Sequence, residues 1–287
     1  MSASASPLLR TPFVSSARGR PSGDHLCWPF RGPGDLAAAA RDFVAEGLAR
    51  GERVAYVGHG SQALLAEVLD DVVGLDHHLR RGHVLVAPVV PAADPDSGDR
   101  GDEVAALAEM GRAARAEGYA GLRVLADVTP RVTGPSRRAG YLAVEHRLDR
   151  LCREGAVTAM CAYDVERLGE AAAAELATAH SSARTGVTPF VVRAATTADL
   201  SLAGQVDVFS ADALELTLRR LDLPLPQGPV VVDVAELDLV DHHGLLALDR
   251  WAGSLGVAVL LRGSAPLHAF LAEELDLERV RPEPVPD

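Results

Sequence analysis

Two short stretches of this 287-residue chain hold side chains whose types and spacing suit chemistry. The first is the pair His25 and Cys27 in the run GDHLCWPF. An imidazole and a thiol two residues apart suit redox chemistry, or could supply two ligands to a metal ion. No further Cys or His lies at a motif spacing that would complete a zinc tetrahedron, so the spacing predicts no metal. Asp127 and Asp164 end strand-like runs, at the carboxyl edge where open α/β sheets bind ligands. Glu145 lies on the helical run between them. These five residues are the candidates to line a small-molecule or redox site. The simplest role for them is structural: a buried Cys behaves as a small hydrophobe, and an aspartate at a strand end caps the next turn. The second stretch is the turn Asp241, His242, His243, Gly244. Adjacent residues point in different directions and no other ligand is in view, so no metal is expected there either.

The elements that must position these residues follow from hydrophobic periodicity. In GDLAAAARDFVAEGLARG, Leu36, Ala39, Ala40, Phe43, Val44 and Leu48 fall on one helical face, with Asp35 placed to cap the start and Gly51 to end it. Strands are predicted at 53–58, 83–90, 122–128 and 157–163. Helices are predicted at 61–73, 102–117 and 136–154, and an Ala-rich helix runs to about residue 178. Strands separated by helices imply a parallel sheet covered on both faces, a three-layer α/β domain over 23–182. The small, polar stretch at 183–188 reads as a linker. A second, smaller α/β domain over 189–283 follows, with strands at 190–196, 199–207, 229–235 and 257–263 and helices at 210–221, 243–255 and 266–275. Ser210 and Ser264 are placed to cap two of those helices.

Composition narrows the function. With 28 basic and 40 acidic side chains the formal charge is -12, which repels phosphate backbones and anionic lipid, so neither nucleic acid nor membrane is an expected partner. Three cysteines without a CxxC pair argue against a disulfide framework and fit a reducing, cytoplasmic setting. No apolar run reaches the length of a membrane span, and residues 1–22 read as a disordered polar tail.

The run FRGPGDLAAAARDFVAEGLARGERVAYVG resembles the opening of RecA/KaiC-type P-loop ATPases. Where that chemistry needs a Lys and a Ser or Thr, Gly34 is followed by Asp35, Leu36 and Ala37, so neither ATP nor magnesium is expected as a cofactor. The ordered blocks GDHLCWPF, FVAEGLARGERVAYVG, GYAGLRVLADVT, YLAVEHRLDRL and TAMCAYD resemble the MEDS sensory domain from residue 24 to about 182. That resemblance implies a RecA-like sensory module beside a regulatory output domain. The family often places Pro after the His near the end of the domain; here Ser181 follows His180.

Residues 199–221 and 230–261 resemble a STAS domain of the anti-sigma-factor-antagonist type, with its Gly-x-x-Asp turn at Gly204 and Asp207. In that family the switch loop usually reads Asp-Ser-Ser-Gly, and the first Ser is phosphorylated by a partner kinase. Here it reads Asp241, His242, His243, Gly244, so no hydroxyl is present to phosphorylate. The resemblances imply a non-catalytic signalling adaptor whose partner is an anti-sigma-factor-like kinase or another STAS protein. The alternatives are a small-molecule or redox-dependent enzyme, or ligand-binding protein, using the degenerate cleft, and a structural scaffold.

Overall fold

A computed structural model describes residues 12–58, 68–88, 102–224, 226–263 and 266–283. Its first sheet is built from β1 (Phe13–Val14), β2 (His25–Phe30), β3 (Arg53–Gly58), β4 (Val84–Pro88), β5 (Leu122–Asp127), β6 (Val157–Asp164) and β7 (Ser182–Arg184). The seven strands run in the order β1-β7-β2-β6-β5-β3-β4, and every pairing is parallel. The helices are α1 (Gly32–Ala49), α2 (Leu75–Arg80), α3 (Asp102–Ala116), α4 (Pro135–Arg153), α5 (Val165–Leu168) and α6 (Glu170–Ala177). The fold is mixed α/β, as parallel strands joined through helices require.

Side-chain alternation decides what each face of the sheet buries. Leu26, Trp28 and Phe30 of β2, with Met160 and Ala162 of β6, pack on Phe43 and Val44 of α1. Cys27 of β2, with Ala159, Cys161 and Tyr163 of β6, packs on Leu148 and Leu151 of α4 and Leu176 of α6. His25 stands on this second face, two residues before Cys27.

The second unit contains β8 (Phe190–Ala194), β9 (Leu200–Val206), α7 (Ala211–Arg220), β10 (Val230–Asp233), β11 (Leu237–Val240), α8 (His242–Leu255), β12 (Val259–Arg262), α9 (Pro266–Glu274) and β13 (Val280–Pro282). Its sheet is six-stranded. β9 pairs antiparallel with β8 on one edge and parallel with β10 and β11 on the other. Leu200, Leu202 and Val206 face a core that includes Leu214, Leu248 and Trp251. Val191 of β8 and Ala203 of β9 point the other way and belong to the same buried cluster as Cys27, Cys161 and Tyr163. The two units therefore share a continuous apolar interior. Polar contacts reinforce it: Val192 N–H donates to Thr178 O at 2.6 Å, the Thr178 and Thr217 hydroxyls meet at 2.9 Å, and Arg150 donates to Asp222 O at 3.0 Å.

Several elements differ from the sequence expectation. Residues 12–22 are not tail: Phe13 and Val14 pair with Ala183 and Arg184 at the sheet edge. Ala183 and Arg184, the start of the expected linker, belong to strand β7, where the small side chains of Ser182 and Ala183 lie buried against β2. β2 itself was hidden by Pro29, which ordinarily argues against an interior strand. On β2 the β7 ladder reaches only Leu26 and Cys27, so Pro29 lies beyond it, and the Pro29 carbonyl accepts Arg184 Nη1 at 2.8 Å.

Asp35 does not occupy the cap of α1. The helix starts at Gly32, and the Asp35 carboxylate reaches back to Arg31 N–H at 3.0 Å and across to Arg184 at 2.6 Å. Gly32, Pro33 and Gly34 are thus the first helical turn. Gly51, at φ +71°, ends the helix as expected. The Ala-rich helix is broken at Gly169, φ +83°. Ser210 precedes α7 but bonds back to Asp207 instead of capping. Ser264 and most of the 61–73 helix lie outside the described residues. Among the described residues no helix is long and apolar enough to cross a membrane.

Candidate functional site

The sheet face under α4 holds a polar cluster wholly shut off from solvent. His25 enters from β2, Cys161 and Tyr163 from β6, Glu145 and Asp149 from α4, and His180 from the segment before β7. Glu145 and Asp149 are four residues apart, so one helical face presents both carboxylates to the sheet. His25, Glu145, Asp149 and His180 are each 0% exposed.

Glu145 is the hub. Its Oε2 lies 3.1 Å from His25 Nε2, 3.4 Å from Cys161 Sγ and 3.5 Å from His180 Nε2. Its Oε1 accepts the Tyr163 hydroxyl. His25 Nδ1 lies 3.3 Å from Asp149 Oδ1, which also accepts the Ser181 hydroxyl. His180 Nδ1 donates to Leu176 O at 2.9 Å, and Nε2, directed at the cluster, has no hydrogen-bond partner among the described residues. The two imidazole rings lie 4.1 Å apart.

These contacts set the charge states. Burial works against the His25 imidazolium, but hydrogen bonds to Asp149 and Glu145 outweigh it and raise the group to about 9. Burial also opposes the Glu145 carboxylate, yet the His180 and His25 imidazoles and the Tyr163 hydroxyl bring it down to about 2. Asp149 is lowered too: burial opposes its charge, and the His25 and Ser181 hydrogen bonds prevail. Burial and then the His25 charge push His180 down to about 4, so it is neutral near pH 7. Burial, reinforced by Glu145, holds the Cys27 and Cys161 thiols well above the ordinary range. Neither is a ready nucleophile.

Of the five residues singled out by sequence, His25 and Glu145 meet in this cluster. Cys27 lies in register with Cys161 on the neighbouring strand. It is Cys161, not Cys27, that also lines a cavity of about 190 Å³ bounded by Val57, Leu107, Asp127, Arg131, Tyr141 and Met160 among others. Asp127 accepts Thr129 N–H at 3.1 Å at the rim. Asp164 stands apart and caps α5, accepting Glu166 N–H at 2.9 Å. Sequence reading missed Cys161, His180, Asp149 and Tyr163. Only Asp149 left a signal, the i, i+4 spacing from Glu145. The expectation of no metal set rested on local spacing; here His25, Glu145, Cys161 and His180 bring one ligand atom each to within 4.8 Å of one another.

The second stretch forms a surface. Asp241 caps α8, its Oδ1 accepting His243 N–H at 2.8 Å and Gly244 N–H at 3.1 Å. Its Oδ2 accepts Val208 N–H at 3.1 Å. Val208 is 50% and Phe209 93% exposed, and His242 is exposed beside them. Gly244 is buried, and a Cβ there would stand 2.6 Å from Val240 and 2.8 Å from Val206, so the helix seats on the sheet only with glycine. The His242 and His243 ring centroids lie 3.8 Å apart, with the rings tilted by 42°.

Fold and site define an α/β protein in which a cavity of about 190 Å³ shares Cys161 with a buried cluster of imidazoles, carboxylates and a thiol. The chain belongs to the MEDS family, the methanogen/methylotroph DcmR sensory domain, whose family model matches residues 24–181. That span contains every member of the cluster and gives the chain a sensory, signalling role. None of the curated proteins compared with the chain matches it.

Proposed function

We propose that the chain is a non-catalytic signalling adaptor. In this reading the MEDS domain, a RecA/KaiC-like fold that has lost its phosphate grip, senses a ligand through the cavity and the cluster beneath it. The second unit, which resembles a STAS domain, transmits the signal by binding an anti-sigma-factor-like kinase or another STAS protein. The observation that supports it is Asp241: one carboxylate both caps α8 and ties down the loop bearing the exposed Val208 and Phe209. An acidic cap, exposed imidazole and exposed aromatic held as one rigid surface suit a docking partner. The shared interior between the units gives the sensory domain a physical route to that surface.

The experiment is calorimetric binding of the full chain and of His242→Ala and His242→Asp to an anti-sigma-factor-like kinase. Docking without phosphorylation predicts tight binding by the parent chain. His242→Asp should weaken binding more than His242→Ala, because only it adds like charge beside Asp241. Equal binding by all three, or none by the parent, removes this loop as the docking surface.

A further inference from the structure

We propose that the buried cluster is a zinc-type metal site, with His25, Glu145, Cys161 and His180 as its ligands. This stands apart from the adaptor reading and needs no partner protein.

Four of the six distances among the ligand atoms are close to the edges of a tetrahedral site. Zinc bonds of about 2.0–2.1 Å to nitrogen, about 2.0–2.2 Å to oxygen and about 2.3 Å to sulfur put ligand atoms about 3.2–3.6 Å apart along each edge. Four of the six edges measure 3.1 Å for His25 to Glu145, 3.5 Å for His25 to Cys161, 3.4 Å for Glu145 to Cys161 and 3.5 Å for His180 to Glu145. All four ligand atoms lie within 4.8 Å of one another, so the remaining two edges need close by at most about 1.2–1.6 Å to meet that tetrahedral range.

The surrounding hydrogen bonds favour the same reading. Metal-bound imidazoles characteristically give their other ring N–H to a carboxylate or a backbone carbonyl, which fixes tautomer and ring orientation. Both arrangements occur here: His25 Nδ1 faces Asp149 Oδ1 at 3.3 Å, and His180 Nδ1 donates to Leu176 O at 2.9 Å. The carboxylate oxygen facing away from the centre, Glu145 Oε1, accepts the Tyr163 hydroxyl. His180 Nε2 is the decisive atom. Fully buried, aimed at the other three ligands and without a hydrogen-bond partner among the described residues, it offers a lone pair that none of them uses. A buried polar atom left in that state carries a desolvation cost that a cation would remove.

The ligand set selects the ion. One thiolate, two imidazoles and one carboxylate in tetrahedral array suit zinc and, in substitution, cobalt; hard cations such as magnesium and calcium prefer all-oxygen shells. On coordination Cys161 loses its thiol proton and His25 Nε2 its own, both released to solvent, while the metal keeps its oxidation state. Four protein ligands leave no open position, so the ion holds β2, α4, β6 and the β7 approach together and does not activate water.

The test uses the full chain expressed in medium supplemented with zinc, and separately with cobalt. Zinc retained after dialysis should approach one ion per chain, by elemental mass spectrometry. The cobalt form should show a thiolate-to-metal charge-transfer band and the strong visible bands of tetrahedral cobalt. Cys161→Ser should abolish the charge-transfer band while Cys27→Ser keeps it. His180→Gln should lower retained zinc at least about tenfold. Negligible zinc and no cobalt bands in the parent chain would overturn the proposal, and those two measurements decide it even if a variant fails to fold. Loss of the band on Cys27→Ser but not on Cys161→Ser would overturn the assignment of the sulfur.

Discussion

Asp149 accepts the backbone N–H of Ala194 at 2.7 Å, and so ties helix α4 of the MEDS domain to the first strand of the second sheet. Its other oxygen is the one beside His25 and Ser181. One carboxylate thus belongs at once to the buried cluster and to the joint between the units. His25 is thereby linked to β8 through one ion-pair contact and one hydrogen bond.

Replacing that carboxylate should loosen the joint. Asp149→Ala strands the Ala194 N–H and removes a carboxylate partner of buried His25, a type of loss that costs about 3–5 kcal/mol. Urea unfolding followed by circular dichroism should show a stability loss of that order, and calorimetry should resolve the single transition of the parent into two. A single transition at unchanged midpoint would show that the apolar contacts alone couple the units.

Asp241 gives a pH signature. Burial works against its carboxylate, but hydrogen bonds from the Gly244 and His243 backbone and the His243 side chain prevail and hold its pKa below the ordinary value. A carboxyl group depressed on folding contributes stability that is complete above its unfolded pKa of about 3.9 and disappears as pH falls through the lower folded value. Asp241→Ala should therefore cost about 1 kcal/mol at neutral pH, as the loss of a helix cap does. The gap between parent and variant should be constant above about pH 5 and close below about pH 4. A gap independent of pH down to acid unfolding would contradict the cap.

Two glycines should respond with opposite sign. Gly204 sits at φ +96°, and a Cβ there would lie 2.3 Å from Pro189 O and 3.0 Å from the Phe13 ring. Gly204→Ala should destabilise by on the order of 3 kcal/mol, from backbone strain and overpacking. Gly34 lies in the first turn of α1 with open space around it. Gly34→Ala should stabilise by about 0.5–1 kcal/mol through the entropy of the unfolded chain. Urea midpoints of both variants check the pair of signs.

What the sequence showed and what it hid divide along range. The α1 face, the β3 strand at 53–58 and the helix centred on Glu145 were legible because 3.6-residue and two-residue periods are local. β1, β2 and β7 were not. Their pairing depends on segments far apart in the chain, and their own residues include Pro29 and the short run Ser182–Arg184. The cluster was half legible for the same reason. His25 stood out by its spacing from Cys27, and Glu145 by its place on the helical run between the strands that end in Asp127 and Asp164. Cys161 read as one more hydrophobe of a buried strand, and no local pattern relates it to His180. Metal spacing rules see ligands that share a loop or helix, and this set is drawn from four separate places.

The position of β2 between β7 and β6 also orders events during synthesis. His25 emerges from the ribosome early, but its partner Glu145 lies 120 residues further on, and Ala159, its register partner on β6, lies beyond that. At about 5–20 residues per second, β2 waits about 7 s at the faster rate and about 27 s at the slower before a neighbour exists to receive it. Throughout that interval GDHLCWPF is a nascent apolar segment without a sheet, a natural client for a holding chaperone. The residues of the site meet only when β6 and β7 arrive, so their assembly marks the moment at which translation of this domain has produced a closed structure.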